Sequence, residues 1–206
     1  MVQIPLPLAS GKGAGAARII VGNANAAVLE SFAQAATWPF RTAVLFGPPR
    51  SGKSLLARWF AENESGGEVV DDAEALDETA LFHRWNRAQE TAAPLLIVCN
   101  GAEEAWKINL PDLSSRLGAA LHLTIGAPDD AMLAELIALH AQRRGLVLGE
   151  GAAPYLIPRC TRSFAGVEAL VAAIDRLSLE RKQPATQIIW RDALEEIVGQ
   201  EQPRLL

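Results

Sequence analysis

The densest chemistry in this chain lies in Gly47-Pro48-Pro49-Arg50-Ser51-Gly52-Lys53-Ser54, which follows the spacing Gly-x-x-x-x-Gly-Lys-Ser. A polyphosphate has to be met by many donors at short range. A loop of this kind turns its backbone N–H groups inward, and Gly52 lets the main chain come close where a Cβ would obstruct it. Lys53 adds a point charge for the β and γ phosphates, and Ser54 offers a hydroxyl to Mg²⁺. The amino end of the following helix, from Leu55 onward, lends its partial positive charge. A second cluster is Asp71-Asp72, which closes the apolar run Val69-Val70. Asp71 suits a water-mediated hold on Mg²⁺, and Asp72 suits the orientation of an attacking water. A solvated acidic turn running on through Glu74, Asp77 and Glu78 is the alternative reading of the same residues. Together these groups imply a bound nucleotide polyphosphate with Mg²⁺.

Elements of the right type flank both clusters. Arg41 to Phe46 is an apolar, β-branched run of strand length, and Leu55 to Glu62 has helical composition with no breaker, so the loop joins a strand to a helix as phosphate binding requires. Ahead of it, Ala26 to Ala35 repeats apolar residues at helical spacing, with Asn25 in place to cap it. Behind it come a short strand ending at Asp71 and an amphipathic helix over Asp77 to Gln89. A buried parallel strand over Pro94 to Asn100 follows, and then a strand over Ala120 to Ile125. Gly126-Ala127-Pro128-Asp129-Asp130 then starts a helix over 131–140, and from Gly145 onward the pattern is wholly helical, with segments over 152–160, 163–179 and 186–198. His83, His122 and His140 have no partner acids at metal spacing and receive no chemical role.

Composition narrows the class further. The chain has 206 residues, a hydrophobic fraction of 50%, a net charge of −5 and a pI near 5.3. That is ample material for a core, and it argues against a large nucleic-acid surface, which needs clustered Lys and Arg. Cys99 and Cys160 are far apart and read as reduced core thiols, which points to the cytoplasm. No apolar run reaches membrane-spanning length, and the start lacks the regions of a signal peptide.

The amino-terminal segment has a character of its own. Gln3-Ile4-Pro5-Leu6-Pro7-Leu8 is an apolar run whose two prolines favour an extended peptide, and Ala9 to Gly15 is a small, glycine-rich tether. A greasy extended peptide on a loose tether suits a groove on another protein. Gln3, Leu6, Pro7 and Leu8 resemble the hexapeptide by which replication proteins dock on the sliding β clamp, with Ile4 a conservative departure at its second position.

The order of elements resembles an AAA+ ATPase of the DnaA branch. On that resemblance the segment before the first helix, with Val21 and Asn25, lies against the adenine. Gly47 to Leu55 takes the phosphates, and Asn100 stands where a sensor-1 side chain faces the γ phosphate. Leu110-Pro111-Asp112-Leu113-Ser114-Ser115-Arg116-Leu117 is similar to the box-seven segment of that branch, in which an arginine reaches a neighbouring subunit's nucleotide; Arg116 falls on that arginine. Arg162 falls on the sensor-2 arginine of the lid, with Arg159 the candidate one register away. The interval between Ser54 and Asp71 holds one helix and one strand, so the strand usually second in this fold is expected to be missing. That strand lies at the sheet edge, where its loss does not expose the centre.

These features together resemble the Hda family, regulatory inactivators of DnaA. The resemblance implies an α/β fold: an AAA+ core with a shortened parallel sheet over 17–127, an all-α lid over 128–206 and a clamp-binding tail over 1–16. It implies ADP or ATP with Mg²⁺, the β clamp and DnaA as partners, self-association, and stimulation of DnaA's ATPase rather than efficient hydrolysis by this chain. DnaA continues into a helix-turn-helix domain where this sequence stops, so no direct sequence-specific DNA binding is expected. A helicase-loader-like adaptor and a free-standing P-loop kinase are the alternatives; the second leaves Gln3 to Leu8 without a purpose.

Overall fold

Strand β1 (Thr42–Phe46) is buried along its whole length, and its alternating side chains assign the layers around it. Ala43 and Leu45 point into one apolar cluster, Val44 and Phe46 into another, as the period of two requires. The computed structural model describes residues 18–64, 66–101 and 103–201. The clamp-like residues Gln3, Ile4, Leu6, Pro7 and Leu8 lie outside the described residues.

The first layer holds α1 (Ala26–Phe32) and α2 (Lys53–Asn63), whose Phe32, Leu56 and Phe60 are each about 1% exposed. The sheet adds β2 (Glu68–Val70), β3 (Leu95–Val98) and β4 (Leu121–Thr124) to β1, all parallel, in the order β2-β3-β1-β4. Its other face is covered by α3 (Glu78–Thr91) and α4 (Pro111–Gly118) through Leu81, Trp85, Ala88, Leu113 and Leu117. Four helices follow among the described residues: α5 (Asp130–Arg144), α6 (Ala152–Leu156), α7 (Phe164–Arg181) and α8 (Gln187–Glu201). Their Leu133, Ile137, Leu156, Val167, Ile174 and Ile189 belong to the same buried cluster as α1, α2 and one face of the sheet.

The expected loss of a strand is what the sheet displays. α2 ends at Asn63 and β2 begins at Glu68, and no strand lies between them among the described residues. The strand that leads into Asp71 is therefore the sheet edge, paired among the described residues with β3 alone. The helix expected over 152–160 is shorter, ending at Leu156, because Pro158 has no N–H to continue the ladder. No helix among the described residues is long and apolar enough to cross a membrane.

Candidate nucleotide site

The loop between β1 and α2 is shaped by two left-handed residues. Gly52 has φ +87°, a conformation that side chains resist, and a Cβ built there would meet no heavy atom within 4 Å. Open space above a backbone that only glycine adopts readily is the cradle a phosphate needs. Arg50 is also left-handed, at φ 64°, and its guanidinium reaches Glu168 of α7 at 3.3 Å, tying the loop to the carboxy-terminal helices. Lys53, 5% exposed, donates from Nζ to the carbonyl oxygens of Gly47 at 2.8 Å and Pro48 at 3.1 Å. Burial pulls its pKa down, while Glu74 and Asp71 oppose that shift. Ser51 Oγ is buried without a hydrogen-bond partner. An orphaned hydroxyl, a desolvated ammonium and an open glycine cradle fit a bound polyphosphate.

Two adjoining cavities, of about 100 and 440 Å³, share Arg50, Ser51, Gly52, Leu55, His140 and Arg143 in their walls. The smaller is bounded by Ile19, Ile20, Asn25, Met132, Leu136 and Phe164, an apolar slot suited to a planar base. The larger is bounded by Lys53, Ser54, Arg58, Asn100 and Glu168. Asn25 does not cap α1 with its side chain. It bonds backward, accepting from Gly22 N–H at 2.9 Å and donating to Ile20 C=O at 2.8 Å, which fixes the wall of the slot. Asn23 joins that wall to the segment before α5 by donating to Ala127 C=O at 3.1 Å and accepting from Asp129 N–H at 3.0 Å. Val21, 39% exposed, is not among the residues lining either cavity.

The acids at the end of β2 have distinct surroundings. Asp71 is exposed and close enough to Lys53 to act on its charge. Asp72 is left-handed at φ 56° and its carboxylate accepts from Asn100 Nδ2 at 2.7 Å, while Glu74 accepts from the Asn100 backbone N–H. Asn100 thus joins the ends of β2 and β3 and also lines the larger cavity. Arg162 lies elsewhere. Its guanidinium is 2.5 Å from the Asp130 carboxylate at the start of α5, and it lines neither cavity. Arg159 stacks over the Tyr155 ring at 4.4 Å and donates to Tyr155 C=O, also away from the loop.

Arg116 sits near the end of α4, half-buried against α3. Its guanidinium carbon lies 4.6 Å from the Phe82 ring centre and 4.4 Å from that of Trp85, and Nη1 donates to Asn86 Oδ1 at 2.5 Å. The pose depends on how α4 starts. Glu78, in the first turn of α3, accepts from the backbone N–H of Asn109 at 2.9 Å and of Leu110 at 2.6 Å. Those backbone bonds hold the Glu78 carboxyl below its ordinary pKa.

Residues 129–187 match the family model described as Hda, lid domain. The chain superimposes on domain III of the Thermotoga maritima replication initiation protein DnaA with a TM-score of 0.68 at 14% identity, covering 86% of this chain and 94% of that one. The carboxy-terminal helices are thus similar to the Hda lid domain, and the chain as a whole shares the fold of DnaA domain III. AMPPCP-bound DnaA from Aquifex aeolicus superimposes on this chain with a TM-score of 0.61 at 17% identity, over 87% of this chain and 70% of that one. The Thermotoga maritima RuvB Holliday junction branch migration motor does so at 0.59 and 15%, over 85% and 69%. An uncharacterized protein of Haemophilus influenzae is 25% identical over 173 residues, 80% of this chain and 74% of that one.

Several residues that shape the candidate site escape sequence reasoning. Glu74 was read only as part of an acidic run, although it holds the Asn100 backbone. Arg58, His140, Arg143 and Glu168 line the larger cavity from α2, α5 and α7. Leu136, Leu139, His140 and Arg143 recur at the spacing of one helix face, a signal that was readable once the face was known to meet the loop.

Proposed function

We propose that this chain binds ADP or ATP at the Lys53 loop and docks on the sliding β clamp through Gln3, Ile4, Leu6, Pro7 and Leu8. Arg116 then completes the nucleotide site of ATP-bound DnaA, so that hydrolysis leaves DnaA inactive for initiation. One observation carries the reading: an open phosphate cradle, with Ser51 Oγ unpartnered and Lys53 desolvated, faces helices matched by the Hda lid family. The AMPPCP-bound DnaA structure adds a relative of the same fold that holds an adenine nucleotide.

In this reading 17–127 is the nucleotide-binding domain and 128–206 the lid. Ile19, Ile20, Asn25, Met132 and Leu136 flank the base. The inward N–H groups of Gly47 to Ser54 and the Lys53 ammonium take the phosphates, and Lys53 exchanges two carbonyl partners for phosphate oxygens. Ser54 and Asp71 are the groups that would hold Mg²⁺, which supplies charge neutralisation between phosphate oxygens. Asp72, which accepts a hydrogen bond from Asn100, would orient the attacking water. Arg116 contributes in trans: a planar guanidinium can bridge phosphate oxygens as charge shifts, and such fingers contribute about 10³ to 10⁵ in rate.

Calorimetric titration with ADP and a pull-down with purified clamp test the binding steps. Lys53→Ala should weaken ADP by about tenfold or more, the scale of a lost charge-assisted contact. Protein lacking residues 3–8 should lose the clamp while keeping ADP. Unchanged ADP affinity in Lys53→Ala removes the nucleotide assignment, and equal clamp capture with and without the peptide removes the docking assignment.

A further inference from the structure

Helix α5 changes character along the face it turns to the loop. Met132, Leu136 and Leu139 line the small apolar slot, and His140 and Arg143, one turn further on, also line the cationic cavity above Lys53 and Ser54. The face therefore passes from apolar to cationic in the direction in which a nucleotide passes from base to phosphates. Arg162 is at the other end. Its carboxylate partner, Asp130, opens the helix, and ten residues at ~1.5 Å each put His140 about 15 Å further along the axis.

Availability separates the cations in the same way. Arg50 is paired with Glu168, Arg144 with Asp175 and Arg162 with Asp130. Arg143 has no ion-pair partner among the described residues, although it faces a cavity that also holds Lys53, Arg50 and Arg58. Glu168, on α7, is the carboxylate in that wall, and it is engaged by the loop. An unpaired guanidinium beside three other cations raises the local potential, and a polyanion relieves it.

We propose that Arg143, assisted by His140, is the lid's contact to the phosphates of a bound nucleoside diphosphate, and that Arg162 instead braces the start of α5 through Asp130. The proposal rests on nucleotide binding at the Lys53 loop. Arg143 is a binding residue here; it reaches the phosphate end from α5, in the cavity it shares with Lys53, and makes lid position sensitive to the charge in the site.

Fluorescence titration of the full-length protein with ribose-labelled ADP, and with labelled adenosine as a phosphate-free probe, tests it. Arg143→Ala should weaken ADP about tenfold and leave adenosine within twofold, since only the phosphate contact is lost. Arg143→Lys should keep much of the affinity. Arg162→Ala should bind ADP within twofold of the parent while lowering the melting temperature. Lys53→Ala separates the two levels of argument. If the parent binds ADP through Lys53 but Arg143→Ala binds equally well, or if Arg162→Ala carries the tenfold loss, the Arg143 assignment fails while nucleotide binding stands. If Lys53→Ala has no effect, the nucleotide reading itself fails and takes this one with it.

Discussion

Replacing Asn86 by Ala should make Arg116 more available to a partner without altering its charge. The guanidinium is held by three groups on α3: the Phe82 ring at 4.6 Å, the Trp85 ring at 4.4 Å and Asn86 Oδ1 at 2.5 Å. Each ring contact contributes ~0.5–1 kcal/mol at a partly exposed site. A hydrogen bond to a charged donor contributes ~1.5–3 kcal/mol when buried, and about 1 kcal/mol here because Arg116 and Asn86 are both half-exposed. The docked pose is thus favoured by about 2–3 kcal/mol, and Asn86→Ala removes about 1 kcal/mol, roughly a fivefold increase in the released fraction. The assay is ATP hydrolysis by ATP-loaded DnaA on clamp-loaded DNA, titrated with purified variant. Asn86→Ala should reach half-maximal stimulation at roughly one-fifth the parent concentration, while melting about 2–4 °C lower. Phe82→Leu should shift it in the same direction by less, and the double variant should fall short of the sum because the groups share one guanidinium. A folded Asn86→Ala protein that stimulates no better than the parent would refute the idea that the docked guanidinium must be released to work.

Two further perturbations probe the nucleotide site. Gly52→Ala should cost about 1–2 kcal/mol in stability because its φ of +87° is left-handed, and should weaken ADP by more than that loss explains because the new methyl enters the open cradle; thermal melts and ADP titration measure the two effects. His140→Gln should flatten the pH dependence of ADP affinity between about pH 5.5 and 7.5. Burial holds the free imidazole below its ordinary pKa; Arg143, Arg144 and Arg50 add to that and Glu168 opposes it. A bound phosphate favours the imidazolium, so binding takes up a proton. The parent's affinity should rise as pH falls through the bound-state pKa and level off below the free-state pKa. The titration of ADP itself cancels in the comparison with the variant, and parallel pH profiles for the two proteins would show that His140 does not sense the phosphates.

What could be read from the chain was local and strongly patterned. The strand into Phe46, the glycine that must be left-handed and the lysine after it define their own geometry within a few residues. The missing edge strand was legible because the interval from Ser54 to Asp71 is too short to hold another strand and helix. The helix ending early at Leu156 could have been read from Pro158. Ion-pair partners were not legible in the same way. Arg162 precedes a helix whose Ser163 cap is evident, but its partner, Asp130, stands 32 positions earlier on α5, and only the packing of α5 on α7 brings them together. The same holds for Arg116. The motif located the residue, but its seat between Phe82, Trp85 and Asn86 depends on Glu78 fixing the approach of α4 to α3.

The proposed division of labour between a nucleotide-holding core and an arginine offered to another protein is tested most directly by single-turnover hydrolysis of DnaA-bound ATP on clamp-loaded DNA, comparing the parent with Arg116→Ala. The variant should bind ADP and clamp as the parent does, yet lose at least tenfold of its stimulation. Undiminished stimulation by a folded Arg116→Ala protein would contradict the account.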